Sequence, residues 1–406
     1  MMDGAAVTLD NWAEAPHNRW SFLNLDEVLP TRVIRTCPDP VSLPHRRDRV
    51  GVLDIATPRF DGTGRIERHS SVSDVIADTW TDGFLVMHRG QIVTELYCGQ
   101  MAPDTRHLLM SVTKSIVGSV AACLVQDNLL DPNEQVEYIV KDLTDSGFKG
   151  ATVRDLLDMR SGVRFNETYH DPDADVYLME HAVGWRSPRE DVPSTLRDFL
   201  RSLPSEDDHG GPFRYRSSET NALGWVCEEV SGRPMADLLS ELVWRPMGAE
   251  WNAHITVDGV GSAVSDGGMS ATLRDAARFG ELIRRNGVAH DGTQVLPEWL
   301  TTDILLAAED SKDAFAETNT PTGMPGGHYR NQFWVPYRQR SVVLCLGIHG
   351  QMVYVNQRAG VTGVKLSTWP TAQNGTAFYD TLGAFEAIAH ALSPTAESPH
   401  LRPSVH

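Results

Sequence analysis

The stretch Arg106-His107-Leu108-Leu109-Met110-Ser111-Val112-Thr113-Lys114-Ser115-Ile116-Val117-Gly118-Ser119-Val120-Ala121-Ala122-Cys123-Leu124-Val125 decides how this chain is read. From Ser111 onward, Val112, Ile116, Val117, Val120, Leu124 and Val125 recur at helical spacing, which predicts a buried helix. At its start a serine stands one turn before a lysine, so hydroxyl and amine share a face and can reach each other. A hydroxyl is a poor nucleophile at neutral pH and needs a proton acceptor; an amine serves only where desolvation or nearby cations depress its pKa. The apolar helix offers Lys114 that desolvation, and the unpaired NH groups of the helix start favour negative charge developing near Ser111. The pattern alone is weak, because Ser146-Gly147-Phe148-Lys149 matches it too. That copy lies in a glycine-flanked loop with no buried helix to hold the pair, and we assign it to chance.

Outward from this helix, residues 83–97 read as two β-rich runs around Arg89-Gly90-Gln91, a hairpin. Helices are expected from Thr152 to Met159, opened by a Thr-x-x-Asp cap, from Ser194 to Leu203 and from Thr220 to Val230. Beyond Gly261 a helix is expected over Ala271–Arg285, short apolar strands over Ser341–His349, Met352–Val355 and Val361–Ser367, and a closing helix over Phe378–Leu392. Sheet start, helical insert and sheet return predict an α+β fold: an α/β lobe from residues 1–110 and 262–406, and a mostly helical lobe from 111–261. The active site is expected between the lobes. Residues 1–70, with Cys37-Pro38-Asp39-Pro40 and the basic patch Arg46-Arg47-Asp48-Arg49, read as an extended N-terminal arm.

At 406 residues the chain is long enough for a large core and a cleft. A formal charge of -18 opposes contact with phosphate backbones or anionic membranes, which require clustered Lys and Arg. Nucleic acid and membrane are therefore not expected partners. The five cysteines, Cys37, Cys98, Cys123, Cys227 and Cys345, form no Cys-x-x-Cys pair and read as small buried residues. The amino terminus shows no basic start followed by an apolar run, and no stretch has the length to span a bilayer, so a cytoplasmic location is expected.

Two further elements join the Ser-x-x-Lys pair. Tyr215-Arg216-Ser217 follows the turn Gly210-Gly211-Pro212 and precedes a helix, and Cys345-Leu346-Gly347-Ile348-His349-Gly350-Gln351 is a strand running into glycine, where backbone can approach a ligand closely. In this order the three resemble the three-motif signature of the serine β-lactamases and penicillin-binding proteins, above all the class C enzymes and related esterases. His17-Asn18-Arg19-Trp20, residues 106–111, Gly184-Trp185-Arg186 and Gly347-Ile348-His349-Gly350-Gln351 are further similar to the 6-aminohexanoate-dimer hydrolases, the nylon-oligomer amidases, over nearly the whole chain.

The resemblance implies an antiparallel sheet flanked by helices, with an all-α lobe inserted. It implies that Ser111 attacks a carbonyl, Lys114 takes its proton, and Tyr215 relays a proton to the leaving group through an acyl-enzyme cycle. The backbone NH groups of Ser111 and Ile348 would form the oxyanion hole. Tyr169 would lie on a flap, Glu180 would meet the amino end of a substrate, and Ser217, Asp266 and His349 would complete the substrate contacts. No metal or cofactor is implied; the partner is a small-molecule ester or amide, and family resemblance allows a homodimer. The lysine of the family's third motif, which pairs with a substrate carboxylate in β-lactamases, is replaced by Cys345. Asp266 stands where a neutral or basic group is expected. Both changes favour short esters and linear amides over penicillins. The rivals are a β-lactamase or D-alanyl-D-alanine peptidase, disfavoured by Cys345, and a non-catalytic binding module, disfavoured by the intact Ser111, Lys114 and Tyr215. An α/β-hydrolase would need a Gly-x-Ser-x-Gly elbow, which is absent.

Overall fold

The computed structural model describes residues 6–46, 51–318, 324, 326–337 and 341–394. Its largest sheet has seven strands in the order Gln91–Tyr97, Thr81–His88, Val361–Ser367, Gln351–Asn356, Val342–Gly347, Phe333–Val335, His328–Arg330, antiparallel throughout. The expected hairpin turns at Arg89 and Gly90, whose φ values of 51° and 82° suit a two-residue connection matched to strand twist. Alternate residues feed two different cores. Leu85, Met87, Val343, Cys345, Val353 and Val355 join one, while Phe84, Val86, Val342, Leu344, Tyr354 and Val361 join the other. A sheet covered on both faces explains why its central strands read as nearly continuous apolar runs. Helix Leu273–Arg284 packs on one side, and Gly375–Leu392 lies with strand Ala56–Phe60 on the other.

The helix Val112–Gln126, which follows Ser111, is apolar on nearly all sides and accordingly buried. It lies against helix Ser217–Ser231, the turn Leu239–Trp244 and the end of strand Val342–Gly347. A second, four-stranded sheet, ordered Thr31–Ile34, Ala253–Thr256, Met269–Ala271, His107–Leu108, delivers the chain into that helix. Leu109 N–H donates to Met269 O at 2.8 Å, and Met269 N–H to Thr113 Oγ1 at 3.2 Å, so the segment carrying Asp266 is zipped to the segment carrying Ser111.

The N-terminal region departs from a plain extended arm. It contributes the short helix Asn18–Ser21, strand Thr31–Ile34 in the four-stranded sheet, and the hairpin Ala56–Phe60 with Ile66–Ser71. Of the basic patch, Arg46 accepts a place beside His88 at 2.9 Å, whereas residues 47–49 lie outside the described residues. The Thr152 cap forms as expected, with reciprocal bonds to Asp155, and the helix from Thr220 starts earlier, at Ser217.

Candidate active site

Met110 precedes the nucleophile with φ 47°, a left-handed backbone that a side-chain-bearing residue adopts only when its surroundings impose it. This turn sets Ser111 at the mouth of the helix. Lys114 Nζ stands 2.9 Å from Ser111 Oγ, 2.9 Å from Ser217 Oγ and 2.8 Å from the carbonyl oxygen of Asp266. It is 1% exposed, and burial pushes its pKa below the usual lysine range against the opposing pull of Asp266 and Glu167. The Asp266 carboxylate approaches only to 3.7 Å and is held by Asn221 Nδ2 at 2.9 Å. The amine is therefore dry, and burial biases it toward the neutral form, the state in which it can accept a proton. The rival pair is different: Lys149 is exposed and Ser146 Oγ donates to Leu143 O.

Tyr215 closes the opposite side. Its side chain interacts with Ser111, its ring centre lies 5.2 Å from Lys114 Nζ, and Trp334 stacks on it at 5.3 Å. Burial, with Glu167 nearby, holds the phenol well above its ordinary pKa, which favours the protonated form. Lys114, not Tyr215, is thus the group able to accept the serine proton.

The turn after strand Val342–Gly347 presents Ile348. A Cβ on Gly347 would fall 2.6 Å from Leu109 O and 3.0 Å from Met110 Cβ, so only glycine lets this strand end lie directly on the nucleophile segment. Ser111 and Ile348 consequently line one cavity with Tyr169, Glu180, Ser217 and Asp266. A larger groove around Gln126, Trp299 and Leu306 lies at the far end of the nucleophile helix and contains none of these groups.

Several expected substrate contacts turn out to be otherwise engaged. His349 is 6% exposed, has φ 59°, and points its Nδ1 at Trp369 O, 2.8 Å away; it braces the turn instead of facing the cavity. Asn18 donates to the same carbonyl at 3.0 Å, which gives the N-terminal His-Asn-Arg-Trp motif its structural task. Ser217 Oγ lies between Lys114 and Glu167, so it serves the amine. Glu180 lines the cavity but carries Arg186 Nε at 2.5 Å, with the Arg186 guanidinium over the Tyr177 ring. Tyr169 donates its hydroxyl to Glu167 at 2.6 Å. Cys345 is fully buried and does not line the cavity. Glu167 is the residue that sequence reasoning missed: an acidic loop residue is ordinarily solvated, and only its closeness to Tyr169 hinted at more. Among the described residues, no cluster of His, Cys, Asp and Glu could hold a metal ion, and no helix is long and apolar enough to cross a membrane.

The β-lactamase family model matches residues 74–383. The chain belongs to the β-lactamase family. This β-lactamase-family protein is 36% identical over 370 residues, covering 90% of both sequences, to the 6-aminohexanoate-dimer hydrolase of Paenarthrobacter ureafaciens. A solved structure from Bacillus anthracis, provisionally named a 6-aminohexanoate-dimer hydrolase, superposes with a TM-score of 0.85 at 26% identity, covering 96% of this chain and 97% of that one. A family VIII carboxylesterase shares the fold at TM-score 0.57 and 15% identity, covering 78% and 96%. The mixed helix-and-sheet fold and the serine hydrolase class expected from the sequence both stand.

Proposed function

We propose that this β-lactamase-family hydrolase cleaves short carboxylic esters and linear amides of the 6-aminohexanoate oligomer type through an acyl-enzyme on Ser111. The observation that carries the reading is the dry Lys114 amine, 2.9 Å from Ser111 Oγ, with its other two bonds taken by Ser217 Oγ and Asp266 O. Lys114 accepts the serine proton as Ser111 attacks; the backbone NH groups of Ser111 and Ile348 hold the oxyanion; Tyr215 passes a proton to the departing amine or alcohol. Water then releases the acid by the reverse path.

The substrate class follows from charge. Two carboxyl groups, Glu180 and Asp266, line the cavity, a third, Glu167, lies behind it on Ser217 and Tyr169, and Arg186 is paired with Glu180. Cys345 provides no cation for a substrate carboxylate. Linear substrates with neutral or amino ends therefore fit better than penicillins. Homodimerisation and a cytoplasmic location belong to the same reading.

The test is a substrate panel: amino-terminated, neutral and acid-terminated p-nitrophenyl esters, linear aminohexanoate amides and nitrocefin, alongside labelling by a fluorophosphonate. Ser111→Ala should abolish labelling and turnover. Rapid nitrocefin cleavage, with equal rates on amino- and acid-terminated esters, would refute the substrate class. Sedimentation of the purified chain reads the dimer directly.

A further inference from the structure

Glu167 has no role in the reaction as proposed, yet the site's hydrogen bonds converge on it. Its Oε2 accepts from Ser217 N–H at 2.6 Å, and its Oε1 accepts from Ser217 Oγ at 2.9 Å and from the Tyr169 hydroxyl at 2.6 Å. Burial pushes the Glu167 carboxyl above the usual carboxylate range against the pull of Lys114 and of these three donors; in its ionised form it has no proton to give, so both hydroxyls donate to it. The single proton of Ser217 Oγ is thereby committed to Glu167, and toward Lys114 that oxygen can only accept. The Asp266 carbonyl, the amine's other neighbour, has no proton either. A neutral amine has two N–H bonds and one lone pair. Both N–H bonds are claimed by these acceptors, and the lone pair has one direction left, toward Ser111 Oγ.

We infer that Glu167 is a positioning residue that fixes the Ser217 proton, thereby aims the Lys114 lone pair at the nucleophile, and ties this setting to Tyr169. The inference rests on the proposed roles of Ser111 and Lys114. In Glu167→Gln the amide can offer N–H to Ser217, whose own proton then turns toward Lys114 and competes with Ser111 for the lone pair.

The charged and titratable groups facing Lys114 are Asp266, Glu167 and Tyr215; those facing Glu167 are Lys114, Tyr169, Tyr215 and, across the cavity, the Glu180–Arg186 pair. The Glu167 charge favours the ammonium form of Lys114. Its removal therefore moves the acid limb of kcat/KM to lower pH even as the plateau falls, a combination that mere loosening of the fold does not produce.

The experiment measures p-nitrophenyl butyrate hydrolysis against pH for the wild type, Glu167→Gln, Ser217→Ala and the double variant of the full chain. End-point fluorophosphonate titration counts the folded sites in each. Expected are a loss of about tenfold to a hundredfold in kcat per titrated site for Glu167→Gln with little change in KM, the shifted acid limb, and a double variant no slower than Ser217→Ala. Wild-type plateau rates in Glu167→Gln, an unmoved acid limb, or losses that multiply in the double variant would overturn it. A wild-type enzyme that takes up no fluorophosphonate would instead sink the underlying assignment of Ser111, and this inference with it.

Discussion

Replacing Gly347 by alanine adds one methyl group where the strand end meets the nucleophile segment. The new Cβ would lie 2.6 Å from Leu109 O, with Met110 Cβ and Gln351 Cβ both at 3.0 Å. To reach a contact of about 3.4 Å the two segments must part by about 0.8 Å. Neither contacting segment is free to yield: Leu109 is tied to Met269 by a 2.8 Å backbone bond, and Gln351 is tied to Ser367 O at 2.7 Å. Overpacking of this kind costs about 1–3 kcal/mol of stability. The catalytic effect should be larger, because the displaced atoms carry the NH groups of Ser111 and Ile348. Loss of one oxyanion donor typically lowers kcat by about a hundredfold to a thousandfold, or about 2.7–4 kcal/mol. We therefore expect Gly347→Ala to be folded, modestly destabilised in urea, still labelled to completion by a fluorophosphonate, and at least about a hundredfold slower on p-nitrophenyl butyrate. Gly259→Ala, where the added Cβ meets nothing within 4 Å, is the control and should match wild type. A Gly347→Ala enzyme within about threefold of wild-type kcat would show that this strand end does not shape the oxyanion site.

Tyr215→Phe should slow amides more than p-nitrophenyl esters, because an amine must be protonated to leave and nitrophenolate need not be; equal losses on both would contradict the relay role. Activity should rise with pH through the titration of Lys114 and then level off, since the neutral amine is the working form and burial has already moved that titration below the usual lysine range; kcat/KM against pH reads this, and a profile still climbing at the pH of ordinary lysine ionisation would count against it. Asp380→Ala should cost about 1–3 kcal/mol in urea unfolding, as it removes the 2.7 Å partner of Arg59, which keeps Asp78 at 2.9 Å, and leaves Phe60 N–H without its acceptor.

What could be read in advance was what short-range patterning encodes. The helix over 112–126 shows as one long apolar run, the strands over 342–367 as short continuous apolar runs between turn residues, and the Thr152 cap is complete within four residues. Strand Thr31–Ile34 escaped because its two exposed central residues give no alternation and its partner is Ala253–Thr256, more than two hundred residues away. His349 looked like a ligand contact from its place beside Gly347, but a positive φ turns its ring back toward Trp369. Glu167 shows the same limit from the other side. Its neighbours Asn166 and Thr168 are loop-like, and the hydroxyl and NH groups that give it purpose come mainly from Ser217, fifty positions on.

The balance around Lys114 is the deeper consequence. Two carboxylates pull the amine toward its charged form, and three acceptors at 2.8–2.9 Å would suit an ammonium well. Burial nevertheless outweighs them, because a charge that is 99% removed from solvent loses hydration that Asp266, at 3.7 Å, replaces only in part. The same reasoning gives substrate entry a direction. An acyl chain filling the cavity beside Ser111 displaces water from the open side of this cluster and adds no anion, so it pushes Lys114 further toward the neutral amine. A substrate bringing its own carboxylate would push the other way, strengthening the ammonium and weakening the base. In a site whose third motif has Cys345 in place of a lysine, discrimination against anionic substrates thus acts on the nucleophile's activation as well as on binding, and should be visible in kcat as well as in KM.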